Sequence, residues 1–170
     1  MPILKTLDEC YDAYTKLHEG DNNFCTGGSL EDQLPRLMNL ARYSNIRTAI
    51  DYGCGKAITH DKFNVKRLLK LEEVTLYDPA VLKYSAYPSK PADLVICTDV
   101  LEHVPEHLVD DVLADISSLA LKAVYLTIST APARKTFKDG DNLHLTQKPL
   151  SWWHKKIANM PVYTIVNVSA

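Results

Sequence analysis

Two glycines and one aspartate stand where a ribose-containing ligand could be held. Gly53 and Gly55 close an apolar run at residues 48–52, and glycine lets the backbone turn sharply and approach a ligand closely. Asp78 ends the next apolar run, 23 residues after Gly55, where a carboxylate can accept hydrogen bonds from ribose hydroxyls. The alternatives are a plain glycine turn and a solvated aspartate before Pro79. Together the two features indicate a ligand site at which Asp78 is expected to be exposed.

A second polar group, Asp99 and His103, follows a buried apolar run at residues 93–97. Histidine titrates near neutral pH and is the most frequent general base, so His103 is a candidate catalytic residue. The alternative is a structural cap before a helix. His144, in a polar loop further along the chain, is a second candidate base, and the alternative there is a hydrogen bond within the loop.

The hydrophobic pattern predicts strands that alternate with helices. Short apolar runs predict strands at residues 48–52, 74–77, 93–97, 124–128 and 162–168. Helical spacing of apolar residues predicts helices over residues 3–18, from Asp61 through Leu71, from Pro105 onwards, and over 151–159. This alternation indicates a mostly parallel sheet covered on both faces, with ligands bound outside the carboxyl ends of the strands.

The N-terminal region predicts helices and a loop. Residues 19–23 and 27–28 favour a loop, and Ser29 with Asp32 is typical of an N-cap that begins a second helix. Pro35, one turn further on, predicts either a kink or a later start of that helix. Residues 1–45 are therefore expected to be N-terminal helices within one domain of residues 1–170, which is long enough to bury a core.

Composition narrows the classes of protein. The net charge of −2 and the pI of about 6.3 provide no broad attraction to nucleic acid, which makes a nucleic-acid partner unlikely on charge grounds. The sequence has no apolar run long enough to span a bilayer, and its start does not resemble a signal peptide. Four cysteines without metal-ligand spacing predict reduced thiols, no metal site and a cytoplasmic location.

The segments DYGCGK (residues 51–56), YDP (77–79) and CTDVLEHVP (97–105) occur in an order that resembles the class I S-adenosylmethionine-dependent methyltransferases. The similarity is greatest to the small-molecule type, whose first motif is DxGCGxG and whose fourth is vLEHv, and it covers about residues 46–130. Residues 141–146 with 151–153 resemble bacterial and phage-borne members more weakly. The resemblance implies a Rossmann-like fold and S-adenosyl-L-methionine as the cofactor.

The resemblance also implies roles for individual residues. Cofactor binding is expected from Asp51, Gly53, Cys54, Gly55, Asp78, Pro79, Asp99 and Val100, and the catalytic candidate His103 is expected beside the acceptor. The resemblance does not extend to His144, which is a catalytic candidate because of its residue type and its loop. Asp78 would hold the ribose hydroxyls. Tyr77, Pro79 and Tyr84 are candidates for the adenine pocket.

The chain departs from the family pattern in three places. Ala57 stands where members usually have a third glycine, and only 14 residues separate Asp78 from Asp93, which shortens the third-strand region. One strand follows the last helix, where the family usually has an antiparallel pair. The fold is therefore expected to be a reduced version of the family fold. Its exposed sheet edge would favour a homo-oligomer.

The expected activity is methyl transfer to an unidentified small-molecule, sugar or lipid acceptor. The (N/D/S)PP(Y/F) motif of amide N-methyltransferases and the Pro-Cys nucleophile of cytosine-C5 enzymes are absent. Two alternatives are an enzyme that cleaves S-adenosylmethionine and a non-catalytic module that binds it. An NAD-binding protein fits less well, because the third glycine is missing.

The loop of residues 130–149 is long for a compact domain, and such loops are commonly functional lids or disordered segments. We expect it to cover the acceptor pocket, to contribute His144, and to favour an anionic acceptor through Arg134 and Lys135. The alternative is a mobile surface loop. The Trp152–Trp153 pair is expected to pack in the core rather than to contact substrate.

Overall fold

A computed structural model describes residues 4, 6–20 and 25–169 of the chain. Its centre is a five-stranded sheet in which all neighbouring strands are parallel, in the order β2-β1-β3-β4-β5. The strands are β1 (Thr48–Tyr52), β2 (Glu73–Tyr77), β3 (Ala92–Thr98), β4 (Ala120–Ser129) and β5 (Tyr163–Ser169). The predicted Rossmann-like α/β fold is confirmed, and the strand order reverses between β1 and β3. In such sheets the ligand crevice lies at this switch point.

Helices cover the sheet and connect its strands. They are α1 (Leu7–Gly20), α2 (Leu34–Tyr43), α3 (Ile58–Phe63), α4 (Val65–Leu68), α5 (Val109–Ser118) and α6 (Leu150–Ile157). Short 3₁₀ segments lie at Gly28–Gln33, Leu82–Tyr84, Leu101–His103 and Glu106–Leu108.

Both faces of the central strand β3 are buried, as its uninterrupted apolar run predicts. Val95 and Cys97 pack in one core layer with α5 and α6, whereas Leu94 and Ile96 pack in the other with α2 and α4. Trp153 is fully buried in the first layer, which confirms its expected place in the core. The two core layers thus hold β3 from both faces of the sheet.

The helix predicted from Asp61 through Leu71 is wrong. Asn64 has φ of 46°, and this left-handed residue divides the segment into α3 and α4. Asn64 also caps α4, because its side chain accepts a hydrogen bond from the Arg67 amide at 3.3 Å. Asp61 lies inside α3, so it does not cap the helix. Asparagine adopts left-handed backbone more readily than most residues, whereas the apolar spacing continues across the break.

The N-cap predicted at Ser29 is also wrong. Ser29 lies within the 3₁₀ segment Gly28–Gln33, and α2 begins at Leu34 with Pro35 in its first turn. The later start is therefore the correct alternative. Glu19 and Gly20 belong to α1 rather than to the predicted loop, and residue 3 and residues 21–23 lie outside the described part of the chain.

The two expected reductions of the fold are present. Between β2 and β3 the chain forms the 3₁₀ segment Leu82–Tyr84 and no further strand. At the other edge, β5 pairs directly with β4 and runs parallel to it. Within the described residues, the antiparallel pair typical of the family is absent.

Candidate active site

A cavity of about 350 Å³ lies at the carboxyl ends of β1, β2 and β3, beneath α1. The residues that line it come from α1, from α5, from the segment before α2, and from the ends of the three strands with the loops that follow them. They are Cys10, Tyr11, Tyr14, His18, Cys25, Thr26, Gly27, Gly28, Ser29, Tyr52, Gly53, Gly55, Asp78, Pro79, Ala80, Thr98, Asp99, Val100, His103, Val104 and Val112. Six of the predicted cofactor residues and one of the two predicted bases therefore lie together. Asp51, Cys54 and His144 are not among the described lining residues.

The glycine turn after β1 needs its glycines because the chain packs tightly upon itself. Gly53 has φ of 80°, and a Cβ there would lie 2.3 Å from Cγ2 of Val100. Gly55 has φ of 57°, and a Cβ there would lie 2.2 Å from the carbonyl oxygen of Cys25. The amides of Gly53 and Cys54 both donate to the Tyr77 carbonyl, at 2.7 and 3.1 Å. The turn is thus fixed between β2 and the loop after β3.

A short strap before the first 3₁₀ segment covers this turn. The Cys25 and Thr26 carbonyls each accept a hydrogen bond at 3.0 Å, from the amides of Lys56 and Ile58 respectively. The Thr59 hydroxyl donates to the Gly27 carbonyl at 2.7 Å. The sequence pattern did not identify the strap as part of the site. Its only local signal is the pair of adjacent glycines at 27 and 28.

Asp78 is buried, with 8% of its surface exposed, so the prediction of an exposed residue is wrong. Its carboxylate accepts hydrogen bonds from the Gly55 amide at 2.8 Å and from the Ala80 amide at 2.9 Å. Burial raises its pKa above the usual value, and the two hydrogen bonds oppose that effect. A carboxylate offers about four acceptor positions, so two remain for a ligand in the cavity.

Asp51 and Cys54 make their contacts outside the described cavity lining. The Asp51 carboxylate lies 2.7 Å from Nε2 of His60, and both side chains are buried. Cys54 is buried, which raises the pKa of its thiol. Both residues support the glycine turn from behind.

Asp99 and Val100 lie at the end of β3. Asp99 has φ of 53°, and its amide donates to the Thr127 carbonyl at 3.1 Å. Its carboxylate accepts from the Thr127 hydroxyl at 3.2 Å, and burial raises its pKa. Val100 fills the space above Gly53. The left-handed residue turns the chain so that the next side chains reach the cavity.

His103 ends the 3₁₀ segment Leu101–His103 and is held on one side only. Its Nδ1 atom lies 3.0 Å from the Leu143 carbonyl oxygen and 3.2 Å from the Tyr14 hydroxyl. Nε2 makes no hydrogen bond with any of the described residues. Burial lowers the pKa of His103 to about 4, so the ring is neutral at physiological pH. A carbonyl accepts only, so Nδ1 carries the proton and Nε2 keeps its lone pair.

His144 contacts the ring of His103 rather than the cavity. The two ring centroids lie 4.8 Å apart at nearly a right angle. Nδ1 of His144 lies 2.6 Å from the Ala131 carbonyl, a hydrogen bond within the loop of residues 130–149. A hydrogen bond within the loop is the alternative role that the sequence left open for His144.

The same loop is folded against α1. Phe137 and Leu143 are buried in a small cluster with Cys10, Tyr14 and Ala80. The loop carbonyl at Leu143 and the α1 hydroxyl at Tyr14 are joined by a hydrogen bond of 2.7 Å. The loop therefore packs against α1, and none of its residues is among the described residues that line the cavity. Its basic residues Arg134, Lys135 and Lys138 are exposed and are not among the described lining residues.

Helix α1 supplies a wall that the sequence pattern could not assign to a site. Cys10, Tyr14 and His18 recur every four residues on its buried face, and each lines the cavity with Tyr11. Burial lowers the pKa of His18 to about 4. The spacing predicted an amphipathic helix. It did not indicate which surface the helix covers.

Glu102 is a further residue that sequence reasoning passed over. It is fully buried, its Oε1 accepts from the Ser129 amide at 2.7 Å, and its Oε2 has no hydrogen-bond partner among the residues that the structure describes. Burial raises its pKa to about 8. The Glu102 carbonyl also accepts from the Thr146 amide at 2.9 Å. Glu102 thus links the end of β4 to the loop of residues 130–149.

The structure does not bring the three residues expected in the adenine pocket together. Pro79 lines the cavity with Ala80, whereas Tyr77 and Tyr84 are not among the described lining residues. Tyr77 instead packs edge-on against Tyr52 and Tyr87, at centroid distances of 5.1 and 5.5 Å.

A glycine turn and a buried carboxyl group that both line a cavity at the switch point of a parallel sheet are typical of a nucleotide-binding domain. The model of a methyltransferase domain family matches residues 28–168, well over half of the chain. The chain therefore belongs to the class I S-adenosylmethionine-dependent methyltransferase family. No curated protein and no solved structure matches it.

The described residues include neither a candidate membrane span nor a candidate metal cluster. None of their helices has the length and apolar character to cross a bilayer. No three of their His, Cys, Asp or Glu side chains come together as a metal site.

Proposed function

We propose that the chain transfers a methyl group from S-adenosylmethionine to a small, uncharged acceptor. The observation that supports this most strongly is the presence of Asp78 and His103 in one cavity, at the ends of β2 and β3. Asp78 can accept hydrogen bonds from the ribose of the cofactor, and His103 can accept one from the nucleophilic group of the acceptor. Family membership supports methyl transfer in general, and the assignment to individual residues is our own.

The residues that line the cavity fit the chemical groups of the cofactor. Asp78 has two acceptor positions left for ribose hydroxyls, and Gly53 and Gly55 both line the same cavity. When bound, S-adenosylmethionine supplies an electrophilic methyl group on a sulfonium, which leaves as a neutral thioether. Pro79 and Ala80 offer an apolar surface beside Asp78 for the base.

His103 would orient the acceptor and remove its proton. Nε2 accepts a hydrogen bond from the hydroxyl or amine of the acceptor. This hydrogen bond orients the acceptor so that the lone pair of its oxygen or nitrogen points toward the methyl group. A pKa of about 4 makes His103 a weak base, which does not ionise a hydroxyl before transfer. A neutral hydroxyl that gains a methyl group becomes a strongly acidic oxonium, however, and even a weak base accepts that proton.

The cavity wall favours an uncharged acceptor over the anionic one expected from the loop. The ionisable lining residues include two carboxyl groups, Asp78 and Asp99, and two histidines that burial keeps neutral. Arginine and lysine are missing from the described lining residues. An anion in this cavity would be desolvated without an opposite charge, which is costly.

The size of the cavity supports a small acceptor. Ligand pockets commonly occupy ~300–1,000 Å³, and 350 Å³ is near the lower end of that range. S-adenosylmethionine alone would occupy most of this volume, which leaves little enclosed space for the acceptor.

The test is transfer of an isotopically labelled methyl group from S-adenosylmethionine to fractionated small metabolites, followed by mass spectrometry. A labelled uncharged product is expected, and His103→Ala should reduce its formation by roughly 10²–10⁴-fold, the usual contribution of a general base. His107→Ala is the matched control, because His107 is exposed and outside the cavity lining.

Other results of the same experiment would contradict the proposal. Loss of the cofactor without labelled product would indicate cleavage of S-adenosylmethionine. An intact cofactor with no labelled product in any fraction would indicate a non-catalytic binding module.

A further inference from the structure

Tyr14 joins the three segments that surround His103. Its hydroxyl lies 2.7 Å from the Leu143 carbonyl oxygen and 3.2 Å from Nδ1 of His103. Its ring packs edge-on against His103 at 5.4 Å and against Phe137 at 5.6 Å. Only 8% of Tyr14 is exposed. One side chain of α1 therefore contacts both the candidate base and the loop that covers it.

The hydrogen-bond directions around His103 follow from the atoms present. The Leu143 carbonyl accepts only, so the Tyr14 hydroxyl donates to it, and so does Nδ1–H of His103 at 3.0 Å. The Tyr14 oxygen then keeps its lone pairs, one of which can accept from the same Nδ1–H. Both acceptors favour a proton on Nδ1, and the lone pair is left on Nε2.

We infer that Tyr14 is a positioning residue for the proposed methyl transfer, acting through the tautomer and orientation of His103. The inference rests on the proposed function, because it assumes that Nε2 receives a proton from the acceptor. Without the Tyr14 hydroxyl, the Leu143 carbonyl loses a donor and Nδ1–H loses its second acceptor. The ring then gains freedom to turn, and the tautomer with a proton on Nε2 becomes populated.

Tyr14→Phe is the variant that tests this, since it keeps the aromatic contacts and removes one oxygen. Tyr125→Phe is the matched control, because Tyr125 is also buried and its hydroxyl donates one hydrogen bond, to Gln33 at 2.7 Å, outside the cavity. Circular dichroism confirms the fold of each variant.

The first readout is the tautomer of His103, measured by long-range ¹H–¹⁵N correlation at neutral pH. The unmodified protein and Tyr125→Phe are expected to carry the proton on Nδ1. Tyr14→Phe is expected to show an average of both tautomers. This readout requires no methyl acceptor, so it is informative even if the proposed reaction fails.

The second readout is the rate of labelled-methyl transfer, with cofactor affinity measured beside it. Tyr14→Phe should lower the rate by roughly 10–100-fold, because small misplacements of a catalytic group have effects of that size. The affinity for S-adenosylmethionine should stay within about twofold of the unmodified protein, since Asp78 and the glycine turn are untouched.

Three results would overturn the inference. They are a proton on Nε2 in the unmodified protein, an unchanged tautomer in Tyr14→Phe, and a changed tautomer with an undiminished rate. If the unmodified protein transfers no methyl group, the proposed function fails, and the tautomer alone then decides whether Tyr14 positions the ring.

Discussion

At the scale of single residues, Asp78 serves both the fold and the proposed site. It holds the amides of Gly55 and Ala80 and still has acceptor positions free toward the cavity. Asp93 provides a comparison, because it is also largely buried and its carboxylate accepts from the Arg47 and Thr48 amides at 2.8 and 3.3 Å. Asp93 lies at the opposite end of β3.

We predict that Asp78→Ala weakens binding of S-adenosylmethionine by roughly 10–150-fold, the equivalent of the 1.5–3 kcal/mol typical of a hydrogen bond to a charged group. Asp93→Ala should destabilise the fold by a similar amount and leave the affinity unchanged. Isothermal titration calorimetry and urea unfolding measure the two effects. Equal affinities in the two variants would assign Asp78 a purely structural role.

The buried carboxyl group of Glu102 should make the stability of the fold depend on pH. Its pKa is about 8 in the folded protein and near 4.5 when the chain is unfolded, so the folded state binds the proton more tightly. The stabilisation is complete below pH 4.5 and is lost as the pH rises through about 8.

Glu102→Gln keeps an acceptor for the Ser129 amide and cannot ionise. Relative to this variant, we predict that the unmodified protein loses roughly 3–5 kcal/mol of unfolding free energy between pH 4.5 and pH 9, since one pKa unit is equivalent to ~1.4 kcal/mol. Urea unfolding of both proteins across that range measures the difference. Parallel curves would mean that Glu102 is not held as the neutral acid.

At the scale of elements, the loop after β3 and the turn after β1 are built to fit each other. The Cγ2 atom of Val100 occupies the place that a Cβ at residue 53 would take. Gly53→Ala should therefore destabilise the fold by about 1–3 kcal/mol or more through the clash and the left-handed backbone. Gly53→Ala combined with Val100→Ala should recover part of this loss, because the nearest remaining Val100 atom is Cβ at 3.3 Å.

Thermal unfolding of the single and double variants provides the measurement. Gly140→Ala is the control for backbone strain alone, since Gly140 has φ of 93° and a Cβ there would meet no atom of the described residues within 4 Å. If the double variant is no more stable than Gly53→Ala, packing against Val100 is not the reason for the glycine.

The elements that local pattern predicted well are those whose burial is simple. The run at 94–97 is apolar on both faces, and it forms the middle of the central strand β3. The helix predicted from Asp61 failed because the apolar spacing continued through Asn64, while the backbone broke there. Periodicity records which face of a segment is buried and does not record a single left-handed residue.

At the scale of the whole molecule, the site is assembled from segments far apart in sequence. The contact of Tyr14 with His103 joins residues 89 positions apart, and its bond to Leu143 joins residues 129 positions apart. The motifs located Gly53, Asp78, Asp99 and His103 because each follows a strand. Nothing in the local pattern of α1 indicated that it would lie over them. Pairing of copies through the edges of β2 and β5 stays a prediction.

The central claim is that this cavity binds S-adenosylmethionine, and calorimetry tests it most directly. The purified protein should bind S-adenosylmethionine and its demethylated product with dissociation constants tighter than about 1 mM, which corresponds to ~−4 kcal/mol. NAD, titrated as a comparison, should produce no binding heat, because the cavity is small for a dinucleotide. The account would be contradicted if neither S-adenosylmethionine nor its demethylated product bound at millimolar concentration, or if NAD bound instead.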